Sequence, residues 1–388
     1  MYTMFTPEQK VFRDKLISYM NSEEIRDKLK EVQNNGPEWD GRDIYKLLGK
    51  KGLLAPNWAK QYGGLDKSWH EVGILAEELS ISGVPEALYI LSVLICGNVI
   101  LMCGTEEQKE RYLPALAKGS QYATVLYSEP KSGSDLSSLE TRAESDGDNS
   151  YLLYGRKVYS MKTHLADYGL CAARTSKNIS KYDGLTVFMM PLRQKGVTIK
   201  PIPSLSDESL FEVVLDGVQV YDHEIIGSKD DGWSVINRAL TVERTGLDYY
   251  IRARRWFNLA SHHMVENLKY SENSYVEFAR LEFKLDCSRY LTYQILEQLE
   301  CNGAIDESLA AISKWYASEL ACEIVWKAHS LIGLDAAVTN HKSLLGGLEA
   351  AYREAPGLTL SAGTSEMMLE SISKFRLNNA TLPDKKLF

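Results

Sequence analysis

Three hydroxyls and a glycine crowd into the run Ser128-Glu129-Pro130-Lys131-Ser132-Gly133-Ser134-Asp135 of this 388-residue chain. The side chains of Ser128, Ser132 and Ser134 can both donate and accept hydrogen bonds, and Gly133 permits a sharp turn. A loop of this kind is able to hold a planar, polar cofactor ring and its phosphates. On composition alone, a solvent-facing Ser/Gly loop of a β-domain is the more economical reading. The deciding information lies in what surrounds it.

The loop leaves a short apolar strand, Thr124–Tyr127, and is followed by β-rich runs at Tyr151–Tyr154, Lys157–Met161 and Tyr168–Ala173. Turn signals at Asp146-Gly147-Asp148 and Gly155-Arg156 separate them. Further strands are expected at Leu185–Leu192, Val197–Pro201 and Glu212–Val220, divided by Gly184, Gly196 and Asp216-Gly217. No helical period runs through this part, so an antiparallel barrel or sandwich is expected. Before it the sequence reads as helices. Thr6-Pro7-Glu8-Gln9 is a capping box with proline in the first helical position, and Thr105-Glu106-Glu107-Gln108 starts another capped helix. Ala87–Cys103 is so apolar that it predicts a helix buried on all sides. After it, long amphipathic runs at Trp233–Leu268, Tyr275–Leu299, Ser308–Ile332, Ser343–Arg353 and Ser365–Phe375 suggest a four-helix bundle, with a loose tail from Asn378 to Phe388. The expected domains are 1–119 (helical), 120–228 (β) and 229–388 (helical bundle).

The hydrophobic fraction of 44% and charged fraction of 25% are ordinary for a globular protein, and a net charge of −8 argues against nucleic acid or an anionic membrane as the main partner. Neither a targeting segment nor a run long enough to span a bilayer is evident. Six scattered cysteines without CxxC spacing point to reduced thiols, a cytoplasmic setting and no metal site.

Five blocks share one spacing pattern: Ser128-Glu129-Pro130, Gly133-Ser134-Asp135, Thr141-Arg142-Ala143, Tyr154-Gly155-Arg156-Lys157 and Ala166-Asp167. Together they resemble the flavin-facing motif of the acyl-CoA dehydrogenase family, and the resemblance extends over most of the chain. It implies an α+β, three-domain fold (N-terminal helices, middle β-barrel or sandwich, C-terminal four-helix bundle), with FAD held between barrel and bundle. It also implies α,β-dehydrogenation of a thioester: a carboxylate removes the α-proton and flavin N5 accepts the β-hydrogen as hydride. Carried over position by position, the cofactor-binding residues would be Leu126, Ser128, Gly133, Ser134, Tyr159, Ser160 (or Met161), Thr364 and Glu366.

In most members of that family the base is a Glu directly before Gly-Thr. Here Leu360-Ser361-Ala362-Gly363-Thr364-Ser365-Glu366 places Ala362 at that position, and alanine takes no proton. Part of the family instead has a Glu preceding an Arg on the first helix of the C-terminal domain. Gly232-Trp233 fixes the alignment, and Leu240-Thr241-Val242-Glu243-Arg244 supplies the pair. The resemblance therefore makes Glu243 the catalytic base and Arg244 its electrostatic neighbour, with Asp248 and Glu366 in reserve. Without the resemblance, Glu-Arg is an ordinary surface pair on a helix.

Two family motifs for the adenosine half of FAD are altered. The Arg-x-x-Phe-Gly is absent from the segment around Tyr270–Phe278, and Gln-x-x-Gly-Gly-x-Gly becomes His329-Ser330-Leu331-Ile332-Gly333-Leu334-Asp335. The substrate implied is an acyl or aminoacyl thioester of CoA or of a carrier protein. Arg252, Arg254 and Arg255 form a basic cluster that could meet an acidic carrier, or simply a solvated helix face. Electrons would pass to a flavoprotein or to oxygen. The assembly would be a homodimer, homotetramer or heteromer. A partner-dependent subunit without a complete flavin site, and a flavin monooxygenase, are the rival readings.

Overall fold

The computed structural model describes residues 4–34, 40–176, 180–267, 270–302, 305–338 and 344–379. Helix α1 (Pro7–Met20) begins at the expected capping box: the Thr6 hydroxyl accepts the Gln9 N–H at 3.2 Å, and the Gln9 amide oxygen accepts the Thr6 N–H at 2.9 Å. It is followed by α2 (Glu23–Asn34), α3 (Arg42–Gly49) and α4 (Trp69–Ile81). The apolar run then forms α5 (Ala87–Tyr89), a π-helical stretch Ile90–Gly97 and α6 (Asn98–Cys103), nearly all of it buried. The Asn98 side chain donates to the Leu94 carbonyl at 2.9 Å, a polar insertion of the kind that accompanies a widened helical turn. This stretch packs on both the first β-strand and the first helix of the C-terminal part. Helix α7 (Glu106–Ala117), capped by Thr105, leads into the sheet.

Eight strands form one sheet: β1 (Ala123–Leu126), β2 (Arg142–Ser145), β3 (Ser150–Met161), β4 (Tyr168–Arg174), β5 (Leu185–Pro191), β6 (Val197–Ile202), β7 (Leu210–Tyr221) and β8 (Ile225–Ile226). The order is β6-β7-β3-β2-β4-β5-β8, with β1 beside β4. The pairing is not purely antiparallel, because β1 and β2 both run parallel to β4. Period-2 alternation sorts the side chains. Leu126, Leu153, Cys171, Phe188, Met190, Val213 and Leu215 face each other in a core made by the sheet alone, as a barrel requires. Their neighbours Tyr127, Leu170, Ala172, Val187 and Met189 join the helical core.

Gly155-Arg156 is not a hairpin turn. It lies inside β3, whose neighbour β7 pairs along its length with two irregularities. Glycine is needed at 155 because a Cβ there would meet Thr141 Oγ1 at 2.2 Å. The true turn joins β2 to β3, where Gly147 (φ 96°) and Asn149 (φ 64°) take left-handed conformations.

The C-terminal part comprises α8 (Gly232–Glu243), α9 (Leu247–Asn267), α10 (Glu272–Asn302), α11 (Glu307–Ile332), α12 (Leu344–Leu358) and α13 (Ser365–Asn379). Helix α11 is central and touches α9, α10, α12 and α13. The single helix expected over 233–268 is broken after Glu243, because Gly246 (φ 85°) sits against Ser313, whose Oγ would be 2.2 Å from a Cβ. Helix α13 runs through Asn379, and the rest of the expected tail lies outside the described residues. Among the described residues no helix is long and apolar enough to cross a membrane.

Candidate active site

The break after α8 places Glu243 and Arg244 at a helix corner rather than on a continuous helical face. Glu243 keeps partial contact with solvent, yet protein encloses it on the remaining sides. Burial pushes its carboxyl up to about 7; Arg244 opposes that rise, Asp248 adds to it, and Lys314 opposes it again. Arg244 Nε donates to the carbonyl oxygen of Ala362 at 3.0 Å. Position 362, on the turn before α13, is therefore in contact with Arg244 although 118 residues separate the two.

That turn is sharply bent. Ala362 (φ 54°) and Gly363 (φ 104°) are both left-handed, an uncommon conformation for alanine. Tyr249 Oη lies 3.2 Å from Ser361 Oγ, and the Ser365 N–H closes onto the Thr359 carbonyl at 2.9 Å. Thr364 caps α13, its hydroxyl accepting the Met367 N–H at 3.3 Å. Glu366 is exposed in the first turn of that helix, where backbone N–H groups and the Thr364 hydroxyl hold its carboxyl below the usual range. It is a helix-start residue with no stimulus to accept a proton near neutral pH. Asp248 accepts from Arg252 Nε at 3.0 Å and is already engaged.

The Ser128–Asp135 loop is fixed from beneath. Glu129 is buried and accepts Glu140 N–H at 2.6 Å, Thr141 N–H at 2.9 Å and Lys157 Nζ at 2.8 Å, while Lys157 also donates to the Tyr127 carbonyl at 3.1 Å. Burial disfavours the Glu129 carboxylate, but the Lys157 charge and these hydrogen bonds outweigh it and hold its carboxyl low. Lys157 has no solvent exposure, so each ion compensates the other.

The proposed cofactor residues separate into two groups. Ser128 and Ser134 have no side-chain hydrogen bond within the protein among the described residues, and Ser134 is exposed. At Gly133 a Cβ would meet nothing within 4 Å and φ is not left-handed, so its own chain does not demand glycine there. Tyr159 sits at an irregularity in β3 with φ 63° and 60% exposure. Leu126 and Ser160 face elsewhere. The Leu126 side chain is buried in the sheet's own core, so only its main chain is free to meet a cofactor. Ser160 is buried, donating to the Phe211 carbonyl at 3.3 Å and accepting from Thr163 Oγ1 at 2.7 Å. Ser132 likewise spends its hydroxyl on the Ser138 carbonyl at 3.0 Å.

The basic cluster is not an open patch. Arg252 is buried among Asp248, Glu354 and Glu86, Arg255 pairs with Glu86 at 2.9 Å, and Arg254 pairs with Asp286 at 2.8 Å. In the sequence Lys157 figures only as the end of a motif block, with no role, and Lys314 is not singled out at all. The signal available for each was a lysine on an inward-facing position, one in a strand and one on the stripe Ala310, Ala311, Lys314, Ala317 and Ser318 of α11. A separate cavity of about 670 Å³, lined by Gln108, Arg111, Tyr151, His223 and Lys229 among others, contains none of the residues around Glu243. Among the described residues no cluster of His, Cys, Asp and Glu could hold a metal ion.

Comparison with known proteins gives matches along most of the chain. Residues 6–120, 124–218 and 230–377 match the family models for the N-terminal, middle and C-terminal domains of acyl-CoA dehydrogenase. Acyl-CoA dehydrogenase FadE26 of Mycobacterium tuberculosis is 27% identical over 97% of this chain and 98% of its own length. A crystal structure of the ChsE4-ChsE5 complex from the same organism is similar with TM-score 0.84 and 26% identity, covering 98% of this chain and 100% of that one. The prolyl acyl carrier protein oxidase AnaB shares the fold with TM-score 0.82 at 23% identity, covering 96% of this chain and 99% of that one.

Proposed function

The chain belongs to the acyl-CoA dehydrogenase family, flavoprotein oxidoreductases acting on the CH–CH bond of acyl thioesters, and on that footing we propose that Glu243 is its catalytic base and FAD its cofactor. The observation that carries the reading is the corner at Glu243. A carboxyl pushed by burial up to about 7 stands next to Arg244, whose guanidinium reaches the main chain of Ala362, where most members of the family carry their base. A base is most useful when its pKa lies near the working pH, since it is then both available and strong enough to take a weakly acidic α-proton.

The residues that fit FAD are Ser128 and Ser134, with hydroxyls unspent on the protein, Gly133, with open space where a side chain would stand, and the exposed, left-handed Tyr159. Thr364, at the start of α13, is a residue of the C-terminal part that the resemblance adds to them. A tyrosine kept in a rarely populated backbone conformation and left largely uncovered is most simply explained by a ring that lies against it. Held by these residues, FAD would supply the acceptor for the substrate's β-hydrogen and its electron pair. Glu243 takes the α-proton onto a carboxylate oxygen, and the electrons of that C–H bond form the Cα=Cβ bond. Arg244 keeps the carboxylate form populated against the desolvation that disfavours it.

CoA is the thioester carrier favoured here over a carrier protein, because Arg252, Arg254 and Arg255, the cluster that could have met an acidic carrier, are already paired with carboxylates. The electron acceptor is a partner flavoprotein or oxygen. Assembly would use α10, which exposes Val276, Phe283 and Tyr290 at seven-residue spacing; this favours a homo-oligomer or a pair of related chains.

The test is a visible spectrum of the purified protein followed by anaerobic titration of wild type and Glu243→Gln with a panel of acyl-CoA thioesters. Bleaching by the wild type, with a variant that binds flavin but stays yellow, is the expected result. Bleaching of equal rate in the variant would remove Glu243 from the mechanism.

A further inference from the structure

Lys314 lies on α11 with no solvent exposure, surrounded by the small buried residues Ala310, Ala311, Ala317 and Ser318. A buried ammonium is costly unless its protons find acceptors. Its acceptors here are two main-chain carbonyls at the ends of one turn, Leu358 at 3.1 Å and Gly363 at 2.8 Å, and the face of the Tyr249 ring, whose centroid is 5.1 Å from Nζ. Among the described residues no carboxylate forms an ion pair with it. The same turn is also held by Arg244, through the Ala362 carbonyl, and by Tyr249, through Ser361. Three side chains around Glu243 thus grip successive residues of a single left-handed bend.

We propose, resting on the reading of Glu243 as base, that Lys314 is a positioning residue for this site: its ammonium clamps the Leu358–Gly363 turn so that Arg244 and Tyr249, the groups beside Glu243, stay in place. The clamp needs an ammonium that is held but not neutralised, and carbonyl acceptors with an aromatic face provide that. The groups facing Lys314 and Glu243 are Arg244 on the α8–α9 corner, Asp248 and Tyr249 on α9, Glu319 on α11, Glu366 on α13, and, beside Glu243, Cys96 and Tyr127. Burial brings Lys314 itself down to about 8, and Glu243 works against that fall. The influence between the two groups is reciprocal, as charge coupling must be.

The reciprocity supplies the experiment. Lysine labelled with 13C at Cε is followed by NMR through a pH titration in flavin-loaded wild type and in Glu243→Gln, a near-isosteric change. The Lys314 resonance, assigned by its loss in Lys314→Gln, is expected to titrate near pH 8 in the wild type and roughly half to one unit lower in Glu243→Gln. Equal midpoints in the two proteins would overturn the coupling. In Lys314→Met and Lys314→Gln the acidic limb of the kcat/KM profile should move to higher pH by a similar amount, because the charge is gone from both. Only the glutamine keeps a donor for one carbonyl, so Lys314→Met should melt several degrees below Lys314→Gln; equal melting temperatures would overturn the clamp. A Lys314 shift seen alongside undiminished turnover by Glu243→Gln would retain the coupling and reject the base. Abolished turnover without the shift would do the reverse.

Discussion

Arg244 Nε donates to the main-chain carbonyl of Ala362 at 3.0 Å, so the two places where a base can stand in this family meet at one point of the fold. Position 362 offers only a methyl group there, while Glu243 approaches from the corner of α8. Moving the carboxylate from 243 to 362 is therefore a direct test of the site. Glu243→Gln should lower kcat/KM by roughly 10²–10⁴-fold. Adding Ala362→Glu to that variant should restore part of the lost activity, at least about tenfold. The recovery will be incomplete, because a glutamate at 362 must adopt the left-handed conformation recorded for the alanine (φ 54°). Steady-state turnover of the single and double variants decides it, and no recovery would mean that 362 does not face the substrate in this chain.

The same carboxyl links the site to stability. Glu243 is raised from 4.5 to about 7 in the folded protein. Between those values the native state holds a proton that the unfolded chain has released, so the contribution of this group to stability is full below about pH 4.5 and is lost as pH rises through 7. The loss is on the order of 2 kcal/mol once its partial solvent contact is allowed for. Glu243→Gln never ionises and escapes it. The variant should consequently melt higher than wild type at pH 8 and about equally at pH 4.5. Thermal unfolding at the two pH values measures the difference, and a variant that gains nothing at pH 8 would show that Glu243 ionises normally.

Much of this was legible from the sequence. The helical, β and helical parts follow from hydrophobic period, and the candidate site is read from blocks that resemble the family's motif. Glu243-Arg244 could be located because Gly232-Trp233 anchors the start of α8. What could not be read depended on partners far away in the chain. Gly155 looks like a turn, but its lack of a side chain serves a close approach to Thr141 within a straight strand. Arg252, Arg254 and Arg255 look like a basic face until Glu86 arrives from the segment before α5, Asp286 from α10 and Glu354 from α12. Leu126 lies in the motif, yet alternation along β1 buries its side chain in the sheet's own core, and Ser160 spends its hydroxyl on Phe211 and Thr163.

On α10, Val276, Phe283 and Tyr290 recur every seven residues with exposures of 49%, 71% and 60%. That spacing puts them on one face of the helix, and large apolar side chains left in water along a stripe are a common mark of an association surface. Phe283→Asp should convert the assembled protein to a smaller species in light-scattering chromatography. Its circular dichroism should stay unchanged, because the residue contributes little to the monomer's core. An unchanged mass would place the interface elsewhere.

The Ser128–Asp135 loop rests on two buried, oppositely charged side chains. Glu129 and Lys157 are both buried and bonded at 2.8 Å, and Glu129 also collects two backbone N–H groups from the segment that closes the loop. Lys157→Met leaves a buried carboxylate without its counter-charge, which costs about 3–5 kcal/mol. Glu129→Gln in the same protein removes that charge and keeps an oxygen to accept one of the N–H groups. The double variant should thus be more stable than Lys157→Met alone, although it carries more changes. Flavin content should follow the same order, because Ser128 and Ser134 are placed by this loop. Urea unfolding and the flavin-to-protein absorbance ratio of the three proteins test both points. A double variant less stable than Lys157→Met would show that the pair is held by more than its charges.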